Sequence, residues 1–220
     1  YLDPWIEGNP ACPIRLEDIS EADLVCVTHG HSDHLGNAIE IVLKTGATLV
    51  TLPEVAAYCS LHGIPYDDNG GCVHTGGSIT QKDVRIHAVY ALHNSDIMGK
   101  EYRENNQVMP GSGACGMILR PEGGVPVYFA GDTGLFGDMA LIGRLYRPKV
   151  AVLPIGGKYT MGVPEAAYAM ELLGSEELIP GHYNTFPSQW ADTDELVRQV
   201  AVRCPWAQVV VLQPGGSHTC

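Results

Sequence analysis

The sequence predicts an α/β protein, folded as one domain over residues 1–220, on three observations. Short β-branched runs alternate with helical patterns along the whole chain instead of collecting in separate halves. Proline opens and glycine closes helical segments, the asymmetry expected at helix ends. Histidines and aspartates follow directly on strand-like runs, where open α/β sheets place ligands and reactive groups.

In chain order, Leu24–Thr28 reads as the first strand, followed by a helical pattern at Ala38–Lys44 and a strand at Thr48–Thr51. Pro53–His62 is helical, with proline in its first turn and Gly63 just beyond its end. Strand Val84–Val89 leads to His93 and then to one long irregular stretch, Asn94–Ala114. Loops of that length in compact domains are usually functional or mobile. Gly116–Leu119 and Val127–Ala130 are expected to pair antiparallel, because the connection Arg120–Pro126 is short and contains Gly123 and Gly124. Leu135–Tyr146 is helical, Val150–Leu153 is a strand and Pro164–Leu173 is a helix stopped by Gly174. Thr193–Arg203 is the last helix and Val209–Leu212 the last strand.

Composition narrows the function. With 45% hydrophobic and 17% charged residues, the chain is too apolar for intrinsic disorder. It contains no apolar run of the roughly 18 residues that a membrane-spanning helix needs. A net charge of -12 argues against a surface that binds long nucleic acid by neutralising phosphates. A small anionic substrate drawn in by bound cations is still compatible with it. The 7 cysteines form no CxxC pair, and their odd number fits separate reduced thiols and a cytoplasmic setting better than a disulfide framework. Cys26, inside the first strand, reads as a small buried hydrophobe.

The segment Thr28-His29-Gly30-His31-Ser32-Asp33-His34-Leu35-Gly36 concentrates metal-ligating side chains at the end of that strand. In an extended strand exit, residues two apart point the same way, so His29 and His31 can grip one ion while Asp33 and His34 turn toward a second. Gly30 lets the backbone approach closely, and Gly36 and Asn37 suit the start of a following helix. Coincidental surface histidines are the competing reading, which this density and order disfavour. Asp3 before Pro4, His93, Asp132 in Ala-Gly-Asp-Thr-Gly and His182 in Pro-Gly-His-Tyr join the set by their shared placement, although each would be bland alone. Imidazole and carboxylate donors suit Zn²⁺, Fe²⁺ or Mn²⁺.

Taken in order, the 29–34 cluster, His93, the Ala130–Gly134 run and Gly181-His182-Tyr183 resemble the metal motifs of the metallo-β-lactamase superfamily. The nearer likeness is to its bacterial and archaeal metal-dependent hydrolase branch, related to the L-ascorbate-6-phosphate lactonases. Leu-Asp-Pro-Trp, Thr-Gly-Leu-Phe-Gly-Asp-Met, Pro-Ile-Gly-Gly-Lys-Tyr-Thr-Met-Gly and His-Tyr-Asn-Thr-Phe-Pro extend it over nearly the whole chain. The resemblance implies an αββα four-layer sandwich, two mixed sheets face to face with helices on the outer faces. It further implies that His29, His31 and His93 hold one ion, that Asp33, His34 and His182 hold a second, and that Asp132 bridges them. Zinc is the first choice for both ions, with manganese or iron as alternatives. A hydroxide bridging the two would attack an ester, lactone or amide of a small polar metabolite, with a small or cyclic phosphodiester as the alternative substrate. Asp33, Asp132 and His182 are the catalytic candidates.

Around these ligands, Asp3 reads either as a carboxylate that orients a ligand histidine or as a turn cap before Pro4. Lys158 and Tyr159 are substrate-binding candidates, the lysine for a carboxylate or phosphate, with a solvated turn as the competing reading. Asn94, next to His93, is a third. The charges Lys100, Glu101, Arg103 and Glu104 read as a solvated or oligomer-contact surface, with a lid as the alternative. Relatives begin with a strand pair ahead of the Asp-Pro, so N-terminal strands are expected before residue 1. A small molecule is the expected partner, with no long nucleic acid and no membrane, and a homo-oligomer is compatible. Two other readings of the fold fare less well. Non-hydrolytic di-iron redox proteins typically replace a ligand histidine with an acidic residue and carry an electron-donor domain, whereas His31 is in place here. A metal-free scaffold does not account for a complete ligand set. His62, His74, His87 and His218 stand outside the candidates.

Overall fold

The first strand, β1 (Leu24–Val27), runs parallel to β2 (Thr48–Thr51), with Val25 opposite Leu49. A parallel pair requires a crossover. It is provided by a single helical turn, α1 (Ser32–Leu35), followed by α2 (Ala38–Thr45). Ala38, Ile41 and Val42 recur at helical spacing and are buried, and Gly46 ends α2 in the left-handed conformation at φ 74. After α3 (Pro53–Ser60), β3 (Ser78–Gln81) and β4 (Val84–Tyr90) form an antiparallel hairpin. Its two-residue turn, Lys82 and Asp83, has φ 48 and 62, the positive angles that match the twist of the flanking strands. A short ribbon pairs β5 (Asp96–Ile97) with β6 (Met109–Pro110). Val25, Val27, Ile41, Leu49, Val55, Tyr58 and Ile97 share one buried core.

These elements make up one of two compact units in the computed structural model, Tyr1–Tyr90 with Asn94–Cys115; the other is Ala91–His93 with Gly116–Cys220. The structure describes residues 1–66, 71–99, 104–107 and 109–220. Lys100, Glu101 and Arg103 of the expected charged surface lie outside the described residues.

In the second unit, neighbouring strands follow the order β11-β10-β9-β8-β7. They are β7 (Cys115–Pro121), β8 (Val127–Phe129), β9 (Val150–Pro154), β10 (Glu177–Gly181) and β11 (Gln208–Val209). As expected from their short connection, β7 and β8 are antiparallel, with Ile118 opposite Tyr128. The rest are parallel, joined through α4 (Met139–Tyr146), α5 (Val163–Leu173) and α6 (Thr193–Arg203). Helix α5 packs between α4 and α6. Its contact with α4 is close at Gly143, where a Cβ would meet the Leu172 carbonyl oxygen at 2.8 Å. Met117, Ile118, Tyr128, Leu153, Met170 and Leu178 are fully buried. Among the described residues no helix is long and apolar enough to cross a membrane.

Several boundaries differ from expectation. Helix α4 starts at Met139 rather than Leu135, because Gly137 and Asp138 take a turn ahead of it. Helix α3 ends at Ser60, and the chain through His62 continues as a turn, with the His62 amide on the Cys59 carbonyl. β11 stops at Val209 instead of Leu212: Val210 N still donates to Leu178 O at 2.8 Å, but Pro180 has no N–H with which to continue the parallel ladder. Asn37 does begin α2, yet its side chain makes no cap; its Oδ1 accepts from Ile6 N at 3.1 Å and Glu7 N at 2.8 Å, tying down the N-terminal segment. The stretch 94–114 is not wholly irregular, since it contains β5 and β6.

Candidate metal centre

In the first unit the ligand cluster leaves β1 in extended backbone and enters α1, with His31 at ψ 150 just before the helical turn. His29 is fully buried and His34 nearly so, whereas Asp33 is half-buried. His29 Nε2 lies 2.9 Å from His31 Nδ1, and the His29 and His34 rings approach to 4.1 Å between centroids. Asp33 Oδ2 stands 3.8 Å from His34 Nε2. Gly36 closes α1 at φ 45, and a side chain there would run into the carbonyl of Pro4.

Asp3 organises this cluster from beneath. It follows the bridge between Leu2 and Cys26 and takes φ 45, a left-handed angle that aspartate tolerates better than most residues. Its carboxylate accepts from Thr28 N and from Thr28 Oγ1, each at 2.7 Å, and its Oδ2 lies 2.7 Å from His34 Nδ1. Since the Thr28 hydroxyl gives its proton to Asp3, its oxygen is left to accept from His29 Nδ1 at 3.0 Å. His29 Nε2 therefore keeps its lone pair and presents it toward His31.

In the second unit Asp132 sits in the loop after β8, 3% exposed. Its Oδ2 lies 3.6 Å from His93 Nε2 and 3.4 Å from His182 Nε2, so one carboxylate oxygen faces two imidazoles. Hydrogen bonds of neighbouring residues restrain the segments that carry them. Leu92 N donates to Thr133 Oγ1 at 3.0 Å and Gly134 N to Leu92 O at 2.9 Å, which tethers the His93 segment beside Asp132. His182 follows β10 at φ 52, a strained conformation of the kind that collects at functional sites. Asn184 then laces its loop: its side chain bonds Ala191 O at 3.2 Å and Ala191 N at 2.8 Å.

Lys158 and Tyr159 are exposed, with the ammonium 5.0 Å from the centre of the tyrosine ring. Their loop is anchored beside Asp132 by Met161 N on Thr133 O at 3.0 Å. Asn94 is exposed where the next segment begins. The thiols near the ligand loop are not nucleophiles. Burial pushes Cys26 up to about 12 and raises Cys115 as well, and Cys115 Sγ donates to Thr28 O at 3.4 Å. The sequence reading missed Thr28 and Asp96. Thr28 adjoins the cluster in sequence, and an acceptor beside a ligand histidine was a usable signal; Asp96 gave none.

The donor set fits a divalent cation. It consists of imidazole nitrogens and carboxylate oxygens, with His29 Nε2 and His31 Nδ1 side by side. Two nitrogens bound to a tetrahedral zinc at the usual distance stand about 3.3 Å apart. The 2.9 Å between His29 Nε2 and His31 Nδ1 is a few tenths of an ångström short of that spacing, so a small rotation of either ring would open it to the bound distance.

Buried histidines and carboxylates grouped at strand ends of an α/β fold define a metal-dependent class of protein. A family model described as the beta-lactamase superfamily domain matches residues 1–183. The UPF0173 metal-dependent hydrolase of Methanopyrus kandleri is 43% identical over 217 residues, covering 99% of this chain and 90% of its own. The UPF0173 metal-dependent hydrolase of Koribacter versatilis is 39% identical over 201 residues, covering 91% and 83%. Among solved structures, Igni18, a metallo hydrolase from the archaeon Ignicoccus hospitalis, is similar with a TM-score of 0.79 and 36% identity, covering 97% of this chain and 86% of that one. The chain belongs to the metallo-β-lactamase superfamily, within its metal-dependent hydrolases.

Proposed function

We propose that the chain is a binuclear hydrolase acting on an ester, lactone or amide of a small polar metabolite, with zinc as the first choice of metal and manganese or iron as alternatives. The observation that carries this reading is the Asp132 carboxylate, whose one oxygen faces His93 and His182, residues that the family resemblance assigns to different ions. In this reading His29, His31 and His93 serve the first ion, Asp33, His34 and His182 the second, and Asp132 both. Two bound cations supply water activation near neutral pH and polarisation of the scissile carbonyl.

The remaining roles fall to the chain's own groups. Asp3 and Thr28 hold the rings of His34 and His29 by their Nδ1 atoms, so that Nε2 of each would be the nitrogen that binds. Asp33, Asp132 and His182 border the reacting group, and burial of Asp132 keeps bulk water from competing for its oxygens. Lys158 provides an exposed positive charge for a substrate carboxylate or phosphate, with Asn94 as a further polar contact.

Elemental analysis of protein purified without chelator, paired with a screen of lactones and a chromogenic phosphodiester, tests this. About two equivalents of metal with turnover of a lactone or ester is the expected result. Turnover of the phosphodiester alone would replace the substrate class, and protein that neither carries metal nor gains activity when metal is restored would overturn the reading.

A further inference from the structure

We propose that Asp96 is a positioning residue for His31, setting which ring nitrogen of that histidine faces the metal. The inference rests on the binuclear reading above and adds to it a residue that the ligand motifs do not contain. Asp96 Oδ1 lies 3.0 Å from His31 Nε2, across 65 residues of sequence. An ionised carboxylate only accepts hydrogen bonds, so it places the ring proton on Nε2 and leaves the lone pair on Nδ1. That nitrogen is the one 2.9 Å from His29 Nε2. His29 reaches the matching state through Thr28, and the two lone pairs converge on one point, an arrangement that a shared cation relieves.

Backbone contacts hold Asp96 in place. Met98 N, in the residue after β5, donates to Gly30 O at 2.9 Å, which ties the end of that strand to the loop between His29 and His31. A Cβ on Gly30 would stand 2.9 Å from Asp96 O and from Ile97 Cα, closer than any side chain sits without displacement. Ile97, fully buried in the core, fixes the ribbon on the other side. The His31 and Asp96 side chains are 21% and 30% exposed, so water weakens their charge attraction and orientation is the larger effect.

The test reads the His31 tautomer and zinc affinity separately. Long-range proton–nitrogen correlation spectra of metal-free protein, at a pH where His31 is neutral, should show Nε2–H in the wild type and a mixture of tautomers in Asp96→Ala. Zinc affinity, measured by chelator competition, should fall about ten- to a hundredfold in Asp96→Ala. Asp96→Asn, whose amide oxygen still accepts from Nε2–H, should keep the tautomer and fall less, and Asp96→Leu, which has no acceptor, serves in place of the alanine variant should that one fail to fold. An unchanged tautomer or an unchanged zinc affinity in Asp96→Ala overturns the assignment. A wild-type protein that shows the Nε2–H tautomer yet takes up no zinc would instead sink the binuclear reading, and the tautomer comparison alone would then decide whether Asp96 orients His31.

Discussion

Asp3 and His34 meet through a 2.7 Å contact between carboxylate Oδ2 and ring Nδ1, with side chains only 5% and 6% exposed. Because the same carboxylate accepts both the amide and the hydroxyl of Thr28, one residue near the chain start orients His34 directly and His29 at one remove. Orientation of this kind leaves a ligand's other nitrogen ready to bind.

Asp3→Ala should therefore act on both stability and metal. Removing the carboxylate leaves buried donors of Thr28 and His34 without their acceptor, at a cost of about 1–3 kcal/mol in metal-free protein. Alanine also fits the positive φ of this position less well than aspartate does. Asp3→Asn, which tolerates that φ and still accepts, should cost less. Urea midpoints of the metal-free variants check the order, and an alanine variant as stable as wild type would contradict the role assigned to the contact.

Asp132→Ala removes the oxygen that faces His93 and His182, and His31→Ala removes a nitrogen from the cluster on the other unit. Both variants should keep wild-type circular dichroism while kcat/KM falls about 100-fold or more. Asp132→Ala should also lose at least one metal equivalent by elemental analysis. Turnover retained in both would exclude a hydrolytic mechanism built on these ligands.

The candidate ligand set could be picked out in the sequence because the cluster at 29–34 is local, and His93, Asp132 and His182 each follow a strand whose apolar run is plain. Asp96 was not, since its partner is 65 residues away and the ribbon that carries it is too short to show a period. β3 escaped for a different reason: its residues alternate between exposed and half-buried, so Ser78–Gln81 has no apolar face to read. The start of α4 was placed too early because Leu135 and Phe136 continue the apolar pattern ahead of Gly137, and tertiary turn geometry decided the boundary.

Two glycine substitutions should separate packing from metal binding. Gly36→Ala forces a side chain onto Pro4 at a backbone angle that already disfavours one, so it should cost about 2 kcal/mol or more and shift α1 with its ligands. Gly143→Ala crowds α4 against the end of α5, at about 1–3 kcal/mol, and its clash falls on the Leu172 and Leu173 carbonyls rather than on the ligand turn. Zinc affinity should fall in the first variant and hold in the second. Equal losses of affinity in the two would show that general destabilisation, not displacement of the ligand turn, governs metal binding.

The buried thiols set an alkaline limit on the fold. Burial pushes Cys26 and Cys59 up to about 12 and raises Cys115 as well, while an unfolded thiol titrates at about 8.5. Above the unfolded value, the unfolded chain gives up thiol protons that the folded chain keeps. The unfolded state then binds fewer protons, and stability falls as pH rises from there toward about 12. Each such thiol contributes a slope of up to about 1.4 kcal/mol per pH unit. Urea midpoints should be level up to about pH 8 on this account and decline beyond it, and Cys59→Ala should show a shallower decline. The thiolate is also the form that alkylates. Iodoacetamide at pH 8, followed by mass spectrometry, should label exposed Cys220 first and the half-buried Cys12 and Cys72 next, with Cys26, Cys59 and Cys115 modified only on unfolding. Native labelling of Cys26 or Cys115 as fast as Cys220 would mean that β1 and the ligand loop it supports open to solvent far more often than their burial allows.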